Sequence, residues 1–319
     1  MTRLGYHVSH EQHAPSALLE YVRLAEQAGF DGALSSDHFH PWLEENGQSG
    51  FGWSWLGAAL ATTRMTYGTV CAPGDRYHPA IIAQAAATLA EMFPERFWLA
   101  VGTGEAANEH ITGEPWPSKP ERKNRLRVCV KVIRALWNGE TVTHRGLITV
   151  EEARLYTLPK RPPMLIAAAV SDATAAWAGS WADGLITTGR PRQDMTRIMD
   201  AFRRGGGEGK PVFVQHVLSW DPDEARARQV AHEQWRFAAL DSEQIWNTRT
   251  PREFAVATRN VTVDEVAAKI RVSSSLDDHR RWIADYVELG VDRVFCFNVG
   301  LNQREYIEAF GEKVLPQLR

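Results

Sequence analysis

Apolar runs of strand length alternate with helix-period segments along this whole chain, and several of the runs end on groups that do chemistry. Gly32-Ala33-Leu34-Ser35-Ser36 stops on Asp37-His38 and drops into a loop bearing Pro41 and Trp42. Phe97-Trp98-Leu99-Ala100-Val101 leads into Gly102-Thr103-Gly104-Glu105-Ala106-Ala107-Asn108-Glu109, and Gly184-Leu185-Ile186-Thr187 into Thr188-Gly189. A helix between successive strands makes them parallel. A parallel sheet closed on itself collects the C-terminal strand ends on one face. The pattern therefore predicts a (β/α)8 TIM barrel, one domain over residues 1–319, with its chemistry on that face.

Taken in order, strands are expected at 3–7, 32–36, 66–71, 97–101, 164–168, 184–187, 212–219 and 293–297. Helices are expected at 16–28, 54–63, 79–92, 121–137, 172–182, 193–204, 223–235, 263–271, 277–289 and 304–315. Two stretches break the alternation. Residues of about 141–160 hold a hairpin pattern, and about 235–262 form a mixed, aromatic stretch read as a lid over the substrate. The 319 residues exceed the roughly 250 that a minimal barrel needs, which leaves chain for such insertions.

A net charge of −3 with no basic stripe argues against nucleic acid and anionic membrane. No run approaches the length of a bilayer span and the N-terminus has no signal core, so a cytoplasmic protein is expected. Cys71, Cys129 and Cys296 are scattered, which fits neither a disulfide framework nor a metal knuckle. His38 and His40 lack a third ligand, so no metal is expected. Gly102-Thr103-Gly104-Glu105-Ala106-Ala107 fits a loose dinucleotide pattern, yet it puts a carboxylate where a pyrophosphate needs backbone N–H groups. Gly205-Gly206-Gly207-Glu208-Gly209-Lys210 precedes Pro211 and a strand, and so reads as a helix stop rather than a phosphate loop.

The remaining candidates form a site. His38 beside Asp37 suits a general base whose tautomer a carboxylate fixes. Glu105 in a half-buried turn has the setting of a proton donor. Asn108, three residues on, shares its helix face and suits the edge of a planar heterocycle. Trp42 is placed either to wall the pocket or to sit over a developing charge.

Ser36-Asp37-His38-Phe39 with Trp42, Tyr77-His78-Pro79-Ala80-Ile81-Ile82-Ala83-Gln84-Ala85, and Gly102 through Glu109 together resemble the luciferase-like flavin and deazaflavin oxidoreductases. They are most similar to the branch that holds the deazaflavin-dependent glucose-6-phosphate dehydrogenases. The resemblance implies a barrel with an inserted segment, a homodimer, and a flavin or 5-deazaflavin ring at the strand ends. It implies His38 as base, Glu105 as acid near the ring and Trp42 as a stabiliser of charge on the substrate side. It also implies that Asp37, Asn108 and the Val70–Cys71 segment touch the ring, with a non-proline cis bond in that segment, and that Gly104 and Ala168 belong to the cofactor site.

Two departures shape the expectation. The sugar-phosphate enzymes grip phosphate with two lysines and an arginine, whose places here fall near Pro191, at Ile245 and at Lys269. Ile245 binds no anion, so glucose 6-phosphate is not the expected substrate; Thr188, Arg190, Trp246 and Lys269 are the substrate-side candidates. In the cofactor-phosphate loop two glycines become Ala169 and Val170, followed by Ser171 at a helix start, and a tighter loop suits FMN. The first expectation is thus an FMN-dependent monooxygenase or dehydrogenase acting on a small organic substrate, with a flavin reductase or NAD(P)H as electron source. The alternative is a deazaflavin (coenzyme F420) dehydrogenase that oxidises an alcohol or sugar by hydride transfer. A non-catalytic flavin-binding barrel comes third.

Overall fold

The computed structural model describes residues 2–318. Eight strands run parallel: β1 (Arg3–Val8), β2 (Gly32–Ser35), β3 (Thr66–Cys71), β4 (Phe97–Val101), β5 (Leu165–Ala168), β6 (Gly184–Thr188), β7 (Val212–Ser219) and β8 (Arg293–Asn298). Each pairs with the next, β8 pairs with both β1 and β7, and the sheet closes into a (β/α)8 TIM barrel. Val142–Arg145 and Thr149–Ala153 form an antiparallel hairpin outside it. Between β7 and β8 the chain runs through short helices at Ser242–Asn247, Pro251–Ala257 and Val263–Ala267. The helix expected over 263–271 stops early. Arg271–Val272 instead adds a short parallel strand beside Leu218 and Ser219 at the end of β7, because those backbone groups extend past the barrel rim and need partners.

Alternation along the strands sorts side chains into two sets. Those facing the helices join the main core, among them Tyr6, Tyr67, Leu99 and Cys296. Those facing the lumen form a separate plug: Leu34, Trp98, Ala100, Ile166, Ile186, Phe213 and Phe295. The three aromatic rings lie 5.0, 5.5 and 6.2 Å apart, centre to centre. Room for them comes from glycine at the register position of the neighbouring strand. A Cβ on Gly68 of β3 would fall inside the indole of Trp98, and one on Gly5 of β1 would strike Phe295. The lower lumen is therefore packed solid, and a ligand has space only at the mouth.

Gly206 ends the helix Arg192–Phe202 and its short continuation in the left-handed region, with φ of 104°. No helix among the described residues is long and apolar enough to cross a membrane.

Candidate active site

The lumen remains open where inward-facing strand residues keep some exposure: Val70 on β3, Ala168 on β5, Thr188 on β6, and Gln215 and Val217 on β7. On the β3–β5 side this floor is made of small apolar groups. A Cβ added to Gly102, just past β4, would meet only the Ala168 methyl, at 3.6 Å, so the space above is free of side chains. Gly104 turns the chain there with φ of +80°, which glycine alone adopts without strain, and delivers Glu105 at the start of the helix Ala106–Glu109.

His38, Glu105 and Asn108 meet above this floor. Asn108 Oδ1 accepts the Phe39 backbone N–H at 2.9 Å, which turns its Nδ2 toward His38 Nδ1 at 3.2 Å and Glu105 Oε2 at 3.4 Å. An amide N–H can only donate, so His38 Nδ1 carries the lone pair and Nε2 the hydrogen. Nε2 faces Glu11 Oε1 at 3.4 Å. The carboxylate beside Nε2 is thus Glu11, from the loop after β1, and not Asp37. Asp37 instead accepts from Arg76 Nη2 at 3.1 Å and Tyr77 Oη at 2.9 Å.

Glu11 is 3% exposed, and its Oε2 accepts from the hydroxyls of Ser36 at 2.6 Å and Ser9 at 3.0 Å. Burial pushes its carboxyl up, but the charge that His38 carries when protonated and the Ser36 hydroxyl outweigh that and leave it below the usual range. Glu105 goes the other way: burial raises it, and the charge of His38 only partly opposes. The two carboxyls nearest His38 are therefore driven apart, one toward the anion and one toward the acid.

Trp42 closes one side. Its ring centroid lies 4.8 Å from that of His38, and it stacks on Phe237 at 4.4 Å, with Phe254 edge-on at 5.4 Å. Ile245, on the helix Ser242–Asn247, packs into the same apolar cluster. The wall beside the imidazole is hydrocarbon and indole.

Other expected site residues sit elsewhere. Cys71 belongs to the helix-facing core, since Val70 faces the lumen and the next residue must face away; only its backbone borders the mouth. Ala169 faces the same core for the same reason, one position past Ala168. Every peptide bond among the described residues is trans, and Val70 and Cys71 pair in plain register with Ala100 and Val101. Ser171 caps the helix Asp172–Gly179, accepting from Thr174 N at 3.4 Å. Arg190 does not turn to the substrate side: its Nη2 donates to the Val170 carbonyl at 2.7 Å, which sets the guanidinium beside the Ser171 loop. Trp246 lies under the Lys119 ammonium at 4.6 Å. Lys269 is exposed past the end of the helix Val263–Ala267 and joins none of these groups. His40 stacks on His110 at 5.4 Å, and no His/Cys/Asp/Glu group among the described residues is arranged to hold a metal.

Below Asp37 lies a second charged cluster. Glu109 is 3% exposed and accepts the Arg76 backbone N–H at 2.8 Å, while Arg76 Nε stands 3.9 Å from Glu109 Oε1, beyond hydrogen-bond reach. Burial, only partly opposed by Arg76, lifts the Glu109 carboxyl to about 7. A folded-state affinity raised above the unfolded one stabilises the protein below the ordinary carboxylate range, and that stability is lost as pH rises toward 7. Glu109→Gln is expected to flatten this loss, gaining about 1–3 kcal/mol on wild type between pH 5 and pH 8 in denaturant melts. Parallel curves for the two proteins would contradict it.

The family model described as luciferase-like monooxygenase matches residues 1–293. The chain belongs to this family. It is a luciferase-like oxidoreductase, and its curated relatives align end to end. It is 38% identical over 330 residues to the F420-dependent glucose-6-phosphate dehydrogenase of Beutenbergia cavernae, covering 100% of this chain and 98% of that one. It is 34% identical to the enzyme of the same name from Mycobacterium tuberculosis, covering 99% and 98%. Among solved structures, one described as an F420-dependent secondary alcohol dehydrogenase in complex with an F420-acetone adduct is similar with a TM-score of 0.90 and 32% identity, over 100% of this chain and 99% of that chain.

Proposed function

We propose that this luciferase-like protein is a deazaflavin-dependent dehydrogenase that interconverts a small secondary alcohol and its ketone. The observation that carries the reading is the chain Glu11–His38–Asn108–Glu105 beside an uncharged aromatic wall. The deazaflavin is favoured over FMN by the names of the end-to-end relatives, against the loop argument made from Ala169 and Val170.

The floor suits a flat ring: Val70, Gly102 and Ala168 present no bulk, and Asn108 stands at the edge. Ser171 at its helix start and Arg190 beside it would hold a phosphate of the cofactor's tail. When bound, a deazaflavin supplies a two-electron hydride acceptor that is slow toward oxygen.

The chain's own residues do the rest. His38 Nδ1 takes the hydroxyl proton, and Glu11 stabilises the imidazolium that results. Asn108 yields its place at Nδ1 and keeps a partner, because Glu105 is already in reach. The wall of Trp42, Phe237, Phe254 and Ile245 favours a hydrocarbon body and gives a phosphate dianion no compensation for its lost water. Glucose 6-phosphate is accordingly not the proposed substrate.

The test pairs binding with turnover. Fluorescence titration of the apoprotein is expected to give tighter binding of deazaflavin than of FMN. The loaded enzyme should oxidise 2-propanol without oxygen and leave glucose 6-phosphate untouched. Tight FMN binding with oxygen-dependent turnover would replace this reading with the monooxygenase one.

A further inference from the structure

Three polar side chains line the other half of the mouth. His7 faces the lumen from β1, paired with the lumen residue Leu34. Gln215 lies two residues past the lumen ring Phe213, and Thr188 two past Ile186; the two are register partners on β7 and β6. His7 stacks on Phe297 at 4.0 Å, and Phe297 pairs with Val217, so the set follows adjacent strands β6, β7, β8 and β1. Among the described residues, none of these three side chains has a hydrogen-bond partner. His7 is 5% exposed; its Nδ1 is fully enclosed, whereas Nε2, equally without a partner, is the ring nitrogen left open to a ligand. A buried polar group without a partner is costly, and a folded chain sustains it where a ligand restores the bond.

We infer that His7, Gln215 and Thr188 form a second recognition point for the substrate, one that reads an uncharged oxygen on the alcohol at a distance from the carbon oxidised at His38. The preferred substrates are then diols and hydroxyketones rather than simple alcohols. This rests on the alcohol-dehydrogenase reading above and narrows it. The crescent carries no formal charge: burial holds His7 down at about 3 against the pull of Glu11, so its imidazole is a neutral donor and acceptor. Gln215 offers both an N–H and a carbonyl, and Thr188 a hydroxyl, so the set accepts either a hydroxyl or a ketone. An anion finds no cation here, and a bare hydrocarbon leaves all three groups unpaired.

The test uses the deazaflavin-loaded enzyme and two probes of equal length, a vicinal butanediol and the matching secondary butanol, with dissociation constants read from tryptophan fluorescence. Wild type is expected to bind the diol about tenfold more tightly. Gln215→Leu and His7→Phe should each bring that ratio close to one. Gln215→Met serves if the leucine variant fails to fold. Equal binding of the two probes by wild type, or variants that weaken the cofactor instead of the diol, would overturn the inference. Diol preference without cofactor reduction would support the inference and contradict the dehydrogenase reading.

Discussion

Alanine at His38 is expected to lower kcat for alcohol oxidation by about 10²–10⁴-fold, the usual worth of a positioned general base. KM should change little, because the imidazole acts on a proton and the hydrocarbon wall supplies most of the binding. Glu11→Gln separates position from charge. Glutamine can still accept the Nε2–H and keep the tautomer, but it cannot stabilise an imidazolium. Its loss should fall between wild type and His38→Ala, while Glu11→Ala, which frees the ring to rotate, should approach the full loss. Steady-state rates across pH for the three variants check this ordering. If Glu11→Gln and Glu11→Ala were both as active as wild type, the carboxylate would be a packing feature and no part of the base.

The largest expected effect on stability comes from a methyl group. Gly68→Ala puts a Cβ inside the space of Trp98, between two paired strands that cannot separate without breaking the ladder. The expected cost is about 3 kcal/mol or more, at the upper end for overpacking, read as a lowered melting temperature. Trp98→Leu alone should also destabilise, by about 3 kcal/mol, through the void left in the plug. The double variant should be more stable than the two losses summed, because the smaller side chain leaves room for the new methyl. Simple additivity would show that the lumen plug repacks freely and that glycine at 68 has another cause.

What could be read in advance follows from how locally each feature is encoded. The eight strands and their order were legible, since alternation and length are properties of neighbours in the chain. His38, Glu105, Asn108 and Trp42 were legible because they sit where strands end, and the structure brings all four to one mouth. Glu11 was not: it lies in an ordinary loop after β1, and nothing local marks it as the partner of a residue in the loop after β2. Asp37 looked like the partner because it is adjacent in sequence, yet neighbours in an extended segment point apart, and it meets Arg76 and Tyr77 instead. The misplacement of Cys71 was avoidable. Once Gly68 and Val70 are assigned to the lumen, the period of two sends Cys71 to the helices. The matched glycines and aromatics of the plug were beyond reach, since their fit depends on the register between paired strands, which neither strand encodes locally. Arg190 shows the same limit: its position suggested the substrate side, and its reach to the Val170 carbonyl carries it to the next loop.

Hydride transfer at the barrel mouth, with His38 as base, is the central step. The most direct measurement is anaerobic, single-turnover reduction of bound deazaflavin by a secondary alcohol carrying deuterium on the carbinol carbon. The predicted result is loss of the cofactor's long-wavelength band, slowed by the deuterium, with the label recovered on the cofactor and the reaction nearly abolished in His38→Ala. An unreduced deazaflavin, or reduction at the same rate in His38→Ala, would contradict it.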